Sequence, residues 1–454
     1  MLIRPGTCKM ISRNDADMKK WNTTKPLILL TACICGALDL SAQFVLSGEI
    51  RPRTEYLHGF KTLAKETQDP AFWTEQRSRL RFDYTSDLYD VGIVLQDIRI
   101  WGSTSQLNRS DALSSIHEAW AAIRLCENFS LKAGRQEVAY DDHRIFGNVG
   151  WAQQARSHDL VRLQYKDSTG ALDLGLAFNQ DAAQLTTHVY TVPNSYKTLQ
   201  YLWWHKNFSE AFGASILFLN NGLQYSVTDT AGVTSYSVQY SQTAGTYLSY
   251  KTEKLKLSGS AYYQTGKDGT GKDLGAYQAS AEANYRISGG FSLGAGYERL
   301  SGTSQVDKAN TENNSFNPLY GTNHKFNGFM DYFYVGNHTN GVGLQDSYFR
   351  MLYKYKKLSA GLDVHLFSSA ADILDVEEWA STGQYRVMSS ALGTEFDATF
   401  IYKLSDEVSL QAGYSQMFAT ESMEALKGGS KDEINNWAYL MITVKPVFYK
   451  SKDQ

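Results

Sequence analysis

Apolar and polar residues alternate along many segments of this chain, and this period of two limits its fold more than any other feature. In residues 172–179 (LDLGLAFN) every second side chain is apolar, and residues 255–264 and 395–402 repeat the pattern. Such alternation predicts strands with one apolar and one polar face. The segments run for roughly 10 to 14 residues, enough to cross a membrane at a tilt, whereas strands of soluble proteins average about 5 or 6.

Hydropathy excludes a helical membrane protein. Mean hydropathy is −0.37, and beyond residue 42 there is no apolar run long enough to span a bilayer as a helix. A closed barrel is the other way to cross, because closure pairs every backbone N–H and C=O. Only seven prolines occur in 454 residues, and no linker divides the chain into domains.

The predicted strands are joined by very short turns on one side and by long polar connections on the other, which is typical of outer-membrane barrels. We count about 18 strands, with 16 as the alternative. The even number places both ends on the periplasmic side. The chain is thus predicted to be all-β, a transmembrane antiparallel β-barrel with short periplasmic turns and long extracellular loops. A large soluble β-helix or sandwich is the competing interpretation. The long connections are residues 58–71, 103–114, 141–154, 180–195, 223–233, 302–341, 370–392 and 420–434.

The N-terminal residues read as a secretory leader. Met18-Lys19-Lys20 precedes a short apolar run and small residues before Gln43, the three parts of a signal peptide. We expect residues 1–42 to be an extension plus signal peptide, with Met18 as the start, and residues 43–454 to be the barrel. Acylation of Cys33, as in a lipoprotein, is the alternative. Of the four cysteines, only Cys126 lies in the predicted barrel, so no internal disulfide is expected.

Arginines concentrate in the first third of the predicted barrel. Residues 43–454 contain sixteen, and twelve lie between Arg51 and Arg162. Charged side chains alternate with others in residues 49–55 (EIRPRTE) and 75–83 (EQRSRLRFD). An Arg or Lys facing lipid at mid-depth costs roughly 2–4 kcal/mol, so these rows must face the lumen. Basic rows in a pore favour anions. The alternative is that Arg–Glu pairs neutralise one another and brace the wall.

Two further segments carry a family resemblance. Residues 134–136 (GRQ), 140–148 (YDDHRIFGN) and 151–163 (WAQQARSHDLVRL), followed by residues 317–326 (NPLYGTNHKF) and 330–333 (MDYF), resemble the alginate-export family of outer-membrane porins. The resemblance implies an eighteen-stranded barrel whose electropositive constriction passes an anionic polysaccharide. It implies that the following residues line or support that constriction: Arg135, Arg144, Arg156, Asp159 and Arg162. The later strands depart from a full ring, since they offer only Arg286, Arg299, Arg350 and Arg386.

Arg135 shares a face with Leu131, so we expect a bulge near Gly134 or Ser157 to aim it inward. The loop 302–341 is rich in aromatic residues, and we expect it to pack against the barrel wall or to fold into the lumen, where Lys325 and Asp331 would narrow the polar path. The complete predicted path is lined by Arg51, Arg53, Arg77, Arg79, Arg81, Asp97, Arg99, Arg124, Arg135, Arg144, Arg156, Asp159, Arg162, Lys325, Asp331 and Arg350.

These features predict a channel in the cell outer membrane for polar, anionic saccharides. A barrel-based enzyme or surface receptor is the alternative, but no nucleophile–base arrangement is readable and no room for a plug precedes the first strand. Histidines lack metal-ligand spacing, and the acidic residues 372–378 are a candidate calcium loop or, more simply, a solvated one. We therefore expect no cofactor, no metal and no nucleic-acid partner. The expected partners are outer-membrane lipid, the barrel-assembly machinery, which reads a terminal aromatic such as Phe448, and an anionic or polar oligosaccharide as solute.

Overall fold

The computed structural model describes residues 42–307 and 309–451, and the predicted leader, apart from Ala42, lies outside this part of the chain. One sheet contains all the strands, and each is antiparallel to both neighbours. No helix of the described residues has the length and apolarity needed to cross a membrane. The strands are β1 Ala42–His58, β2 Ala71–Ser86, β3 Tyr89–Ile100, β4 Ser114–Cys126, β5 Phe129–Gln136, β6 His158–Lys166, β7 Gly170–Phe178, β8 Thr198–Asn207, β9 Phe212–Thr228, β10 Thr234–Lys251, β11 Leu255–Lys267, β12 Asp273–Ser288, β13 Phe291–Leu300, β14 Leu344–Tyr355, β15 Leu358–Ser368, β16 Ala391–Lys403, β17 Val408–Ala419, β18 Asn435–Val444 and β19 Val447–Lys450.

The first strand closes the barrel. β1 pairs with β2 on one side and with both β18 and β19 on the other. β18 and β19 are separated by Lys445-Pro446, and proline has no N–H to donate to a ladder. The Pro446 carbonyl still accepts a hydrogen bond of 2.9 Å from Gly48 N. The two segments are therefore one interrupted strand, and the barrel has the eighteen strands predicted.

Two short helices lie in the long connections. α1 (Val376–Thr382) begins at Asp375, whose side chain accepts a hydrogen bond from Glu378 N, and α2 (Glu421–Lys427) begins at Thr420, which accepts from Met423 N. Both are side-chain caps that satisfy free N–H groups of the first turn. Within the acidic segment 372–378, the cap accounts for Asp375. The described residues contain no group of His, Cys, Asp and Glu side chains that could hold a metal ion.

Several strand ends differ from their predicted positions. β5 ends at Gln136 and β6 begins at His158, so residues 137–157 form a longer connection than expected. Asp141, His143 and Phe146 have φ between 50° and 71°, which strand residues cannot adopt. By contrast, β9 and β10 extend to Thr228 and Thr234 and enclose a short hairpin turn in place of the long loop 223–233.

Period-two patterning separates two faces. Outward positions such as Ile216, Phe218 and Leu176 are 47–61 % exposed, as expected where lipid replaces water. Aromatic pairs lie beside the short turns: Tyr84 stacks on Tyr89 at 5.5 Å, and Phe129 lies 4.9 Å from Tyr165. Such residues form an interfacial girdle and mark the periplasmic edge of the membrane.

The hydrophobic core lies inside the barrel. Phe146 of loop 137–157 and Phe316, Tyr332 and Phe333 of the connection between β13 and β14 are at most 1 % exposed. Phe333 packs 4.8 Å from Phe367 of the wall, and the Tyr332 hydroxyl donates to the Gly59 carbonyl oxygen. The prediction that the loop 302–341 folds into the lumen is thereby confirmed.

Candidate solute path

Two inward-folded loops form a partition across the lumen. We call residues 137–157 the short loop and residues 301–343 the long loop. Their backbones pair directly: Gly147 N donates to Tyr320 O at 2.7 Å, and Thr322 N donates to His143 O at 2.9 Å. Because these bonds join two backbones, the loops behave as one layer.

Three arginines of the basic rows hold the short loop against the wall. Arg51 donates to Gly150 O at 2.8 Å, and Arg53 donates to Trp151 O at 2.8 Å. Arg77 donates to the carbonyls of Gly150, Ala152 and Gln153, each at 3.3 Å. All three side chains are buried. A guanidinium has five donors in a fixed fork, so one arginine can satisfy several turned-in carbonyls at once. We call these three residues the arginine clamp.

Carboxylates complete the clamp. Glu49 accepts from Arg77 at 2.5 and 3.0 Å, and Glu55 accepts from Arg53 at 2.8 Å. Glu55 also accepts from the indole N–H of Trp437 at 3.0 Å. Buried charges are stable only when paired and hydrogen-bonded, as they are here. The interpretation that these pairs brace the wall therefore applies to Arg51, Arg53 and Arg77.

A second anchor lies on the opposite side of the partition. Arg144 of the short loop forms a buried ion pair with Glu298 of β13 and donates to Asn327 Oδ1 at 3.1 Å. Its guanidinium carbon lies 3.8 Å from the Phe326 ring centroid. Asn327 in turn donates to Glu298 and to Asp346, at 2.9 and 3.2 Å. One arginine thus joins the short loop, the long loop and the wall.

On the periplasmic side of the clamp, the barrel wall carries cations that do not bind either loop. Arg79 donates to Gln96 Oε1 at 2.7 Å and makes no ion pair with a carboxylate of the described residues. The Lys132 ammonium lies 3.4 Å from the Trp120 ring centroid, and it too has no carboxylate partner in the part of the chain described. Arg81, by contrast, pairs with Asp83 at 2.7 Å and Glu118 at 3.2 Å.

The facing wall is acidic. A cavity of about 450 Å³ lies beneath the long loop and is bordered by Glu282, Asp346 and Asp363. Arg350 pairs with Asp363 at 2.9 Å, and the Lys325 ammonium donates to Asp142 O at 2.8 Å. Burial lowers the pKa of Lys325.

An aromatic cavity of about 580 Å³ lies between the clamp and the long loop. Its walls include Trp73, Trp151 and Tyr334, with Arg53 and Arg156 among them. Trp151 stacks on His324 at 4.8 Å, and the hydroxyl of Tyr334 is buried without a partner among the described residues. His324 is held by Asp331 at 2.6 Å. We call this space the aromatic vestibule.

Most of the predicted path residues reach the lumen or the partition. Arg162 bonds Gln136 and Asp173, Arg156 donates to Gly321 O at 2.9 Å, and Arg124 pairs with Asp90 near the periplasmic turns. The inward set comprises Arg51, Arg53, Arg77, Arg79, Arg81, Arg124, Arg144, Arg156, Arg162, Lys325, Asp331 and Arg350.

Four predicted path residues do not belong to that set: Asp97, Arg99, Arg135 and Asp159 lie on the outer face. Arg99 is paired across the strands with Gln76, and Asp97 with Ser78, whereas lumen-facing Arg77 is opposite Ile98. Arg135 is opposite Asp159, with which it forms an ion pair of 2.7 Å, next to outward-facing Leu131 and Val161.

The prediction of a bulge near Gly134 or Ser157 is wrong: the β5–β6 ladder has none, and a bulge lies instead in the β3–β4 ladder. Gly134 has a positive φ of 117°, yet the β5–β6 register continues through it without a shift. The ladder shifts between Val94 and Leu95 of β3, opposite His117 of β4. His117 and Glu118 consequently both point inward, and His117 bonds Glu137 at 2.8 Å. This bulge does not change the direction of the Arg135 side chain, which points to the outer face.

Sequence reasoning missed several lumen residues, including Lys132, Glu282, Asp346, Asp363 and the buried His365. Alternation of polar residues in 344–350 (LQDSYFR) carries the same period-two signal as the basic rows, so Asp346 and Arg350 could have been assigned to one face. Lys132 has no such signal, because Ser130 and Gly134 are its neighbours on that face.

Comparisons with known proteins place the chain in one family. A family model described as "Alginate export" matches residues 45–436, while no curated protein matches. Among solved structures, Acinetobacter baumannii OccAB4 is similar, with a TM-score of 0.56 and 11% identity over 90% of this chain and 98% of that one. Pseudomonas aeruginosa OccK9 (OpdG) gives a TM-score of 0.58 and 14% identity over 89% and 98%. At these identities the structures support the fold alone.

The fold and the family together define the setting. The closed barrel, the interfacial aromatic residues and the alginate-export match indicate a channel in the outer membrane. Because the family match covers residues 45–436 of 454, this protein belongs to the alginate-export family.

Proposed function

We propose that the barrel is a passive channel, not an enzyme, that carries polar, anionic saccharides across the outer membrane. The observation that carries the proposal is a pair of lumen cations, Arg79 and Lys132, that form no ion pair with a carboxylate of the described residues. The guanidiniums of the arginine clamp are hydrogen-bonded to loop carbonyls and are not free to bind a solute. Arg79 and Lys132 hold no loop and remain available to a solute. Rings or rows of such cations favour anions.

The two cations share one face of the lumen. Arg79 lies on β2 and Lys132 on β5, on the wall opposite the acidic cavity beneath the long loop. One guanidinium nitrogen of Arg79 is buried without a partner in the described chain. An anion moving along this wall would meet the positive charges of Arg79 and Lys132. On the facing wall Glu282 and Asp363 pair with Arg350, and Asp346 pairs with His365. An anion would therefore be drawn to the β2–β5 side, where the positive charge is unpaired.

The aromatic vestibule supports a saccharide as the solute. Trp73, Trp151 and Tyr334 offer apolar ring surfaces, and Arg53, Glu55 and Asp331 offer polar groups beside them. Binding sites for small polar molecules combine aromatic walls with a few placed polar groups. Sugar rings have apolar C–H faces and polar edges, which match this lining. Outer-membrane lipid and the barrel-assembly machinery, recognising Phe448, are the partners we propose outside the lumen.

Ion selectivity tests the proposal. Reversal potentials across planar bilayers in a salt gradient should show preference for anions in the wild-type channel. The double variant R79Q/K132Q should lose most of that preference, because both uncompensated charges are removed from the lumen. Arg99→Gln is the matched control, since Arg99 lies on the outer face. An unchanged permeability ratio in the folded double variant would show that wall charges play no part.

A second experiment with saccharides distinguishes sugar transport from ion selectivity alone. Trigalacturonate should interrupt single-channel current at concentrations where neutral maltotriose does not. Replacing Trp151 with Leu should shorten those interruptions, since it removes a ring of the vestibule. If both trisaccharides interrupt the current equally in the wild-type channel, the anionic part of the proposal fails.

A further inference from the structure

A cavity on the extracellular rim has an unbalanced positive lining. The loop after β1 (residues 59–70), the long loop and the α2 connection (residues 420–434) meet there around a space of about 470 Å³. Among the described residues no Asp or Glu lines it. The groups that matter for recognition are Lys61, Gln305, Asn337, His338, Leu426 and Lys427. We call this space the rim cavity. It is lined by none of the residues assigned above to the lumen walls.

The two ammonium groups of the rim cavity have no carboxylate partner. The Lys427 ammonium lies 5.2 Å from the Phe333 ring centroid, and that of Lys61 lies 6.0 Å from the Phe60 ring centroid. Neither forms an ion pair in the described part of the chain. Glu424, one turn before Lys427 in α2, accepts from Lys431 N at 2.6 Å and does not line the cavity. The positive charge therefore faces the open space.

Electrostatics at this site agrees with the geometry. Burial lowers the pKa of Lys427 to about 7, with no nearby carboxylate to oppose the shift. Burial, together with the positive charge of Lys427, lowers the pKa of His338 to about 3, so this imidazole is neutral at physiological pH. A buried cation without a counter-ion is costly, and a bound anion would relieve that cost.

We propose that the rim cavity binds the carboxylate of an acidic saccharide before it enters the barrel. Lys61 and Lys427 supply the charges, and Gln305 and Asn337 supply groups for sugar hydroxyls. Both amide residues line the cavity. Leu426 offers an apolar surface to the ring. The ligand class rests on the proposed function, but the site itself is separate from the selectivity wall.

Calorimetric titration of the full-length protein in detergent tests the site. Trigalacturonate should bind the wild-type protein, and maltotriose, which lacks carboxylates, should not. Removing both charges in K61Q/K427M should weaken trigalacturonate binding roughly tenfold or more, since each tenfold corresponds to about 1.4 kcal/mol of lost interaction. Lys427→Arg should bind nearly as well as wild type, because it retains the charge. Lys431→Gln is the matched control, as Lys431 pairs with Asp432.

Two outcomes would overturn the inference: equal binding of maltotriose, or wild-type affinity in K61Q/K427M. Retention of the gel-mobility shift between unheated and boiled samples would establish that each variant is a folded barrel. Failure of the rim cavity can be distinguished from failure of the proposed selectivity wall, which the bilayer recordings test. If R79Q/K132Q leaves selectivity unchanged while K61Q/K427M abolishes trigalacturonate binding, the proposed selectivity wall fails and the rim cavity stands. The reverse pattern removes the rim cavity alone.

Discussion

The guanidinium of Arg51 in β1 lies 2.8 Å from the carbonyl oxygen of Gly150, ninety-nine residues away in sequence. The same side chain bonds the Gln153 side chain at 2.9 and 3.1 Å. A row of arginines along a barrel wall is expected to contact solute, yet this one contacts the protein's own backbone. The charged arginines of the wall therefore fix the position of the short loop. We therefore expect the width of the channel to depend on it.

Loosening the clamp should widen the channel. Arg51→Gln removes donors to Gly150, Trp151 and Ala152 while leaving the Arg77–Glu49 pair in place. Each lost charge-assisted hydrogen bond contributes about 1.5–3 kcal/mol, enough to let residues 150–153 leave the wall. Single-channel recordings should show higher mean conductance and more frequent switching between levels. Arg99→Gln should record like wild type, and a wild-type trace from Arg51→Gln would mean that the remaining clamp residues suffice.

The buried pair Arg144–Glu298 should be a stability determinant. Arg144 and Glu298 are 1 % and 4 % exposed, so Arg144→Met leaves a buried carboxylate without its cation. Removing one partner of such a pair costs roughly 3–5 kcal/mol, whereas removing both is far milder. Urea unfolding, followed by the gel-mobility shift, should place R144M well below wild type and R144M/E298Q between them. Equal stability of R144M and wild type would show that Asn327 and the Phe326 ring satisfy the site without the charge.

The sequence predicted the barrel well because its signal is repeated in every strand. Alternation, short turns and long loops recur around the whole sheet, and an error in one strand does not change the count. The interruption at Pro446 was the one place where a strand was divided, and its pairing with β1 on both sides preserves the number.

Whether a side chain points to the lumen or to the outer face was harder to predict than the number of strands. Alternation divides a strand into two faces, but near the rim both faces carry charge, as Arg99 with Asp97 and Arg135 with Asp159 show. A bulge at His117 reverses the facing of one strand end and leaves its neighbours unchanged. The clamp could not be predicted at all, since it joins Arg51 to backbone carbonyls that no side-chain pattern reveals.

Removing the long loop should open the lumen. Thr303 N donates to Gly341 O at 2.9 Å, so the two ends of the loop already meet and residues 305–338 can be deleted without stretching the chain. The deletion removes Phe316, Tyr332 and Phe333 from the lumen, and conductance and the size limit for solutes should both rise severalfold. Bilayer recordings with polyethylene glycols of graded size would measure the change.

The matched control for that deletion is the β9–β10 hairpin. Ser226 and Tyr236 are paired across it, so residues 227–235 can be replaced by Asn-Gly, which forms a tight two-residue turn. This shortening removes extracellular residues without touching the lumen. A conductance that is equal in both deletions, with both barrels folded, would mean that the long loop does not restrict the passage.

Acidic-saccharide binding at the rim cavity should depend on pH near neutrality. Two titratable groups line the cavity with Lys427, which ends α2: Lys61, which follows β1, and His338 of the long loop. His338, with its pKa lowered to about 3, is neutral above pH 6. Lys427, with its pKa lowered to about 7, loses its proton across this range. Its charged fraction falls from about 90% at pH 6 to a few per cent at pH 8.5.

Trigalacturonate affinity should therefore decrease severalfold between pH 6 and pH 8.5. The midpoint should lie above 7, because a bound carboxylate stabilises the protonated amine and raises its pKa. Lys427→Arg stays charged throughout and should remove the pH dependence while retaining binding. Lys431→Gln should keep the wild-type profile. Titrations at the two pH values decide the matter: equal wild-type affinities, or an Arg variant with the same slope as wild type, would show that Lys427 is not the group that holds the carboxylate.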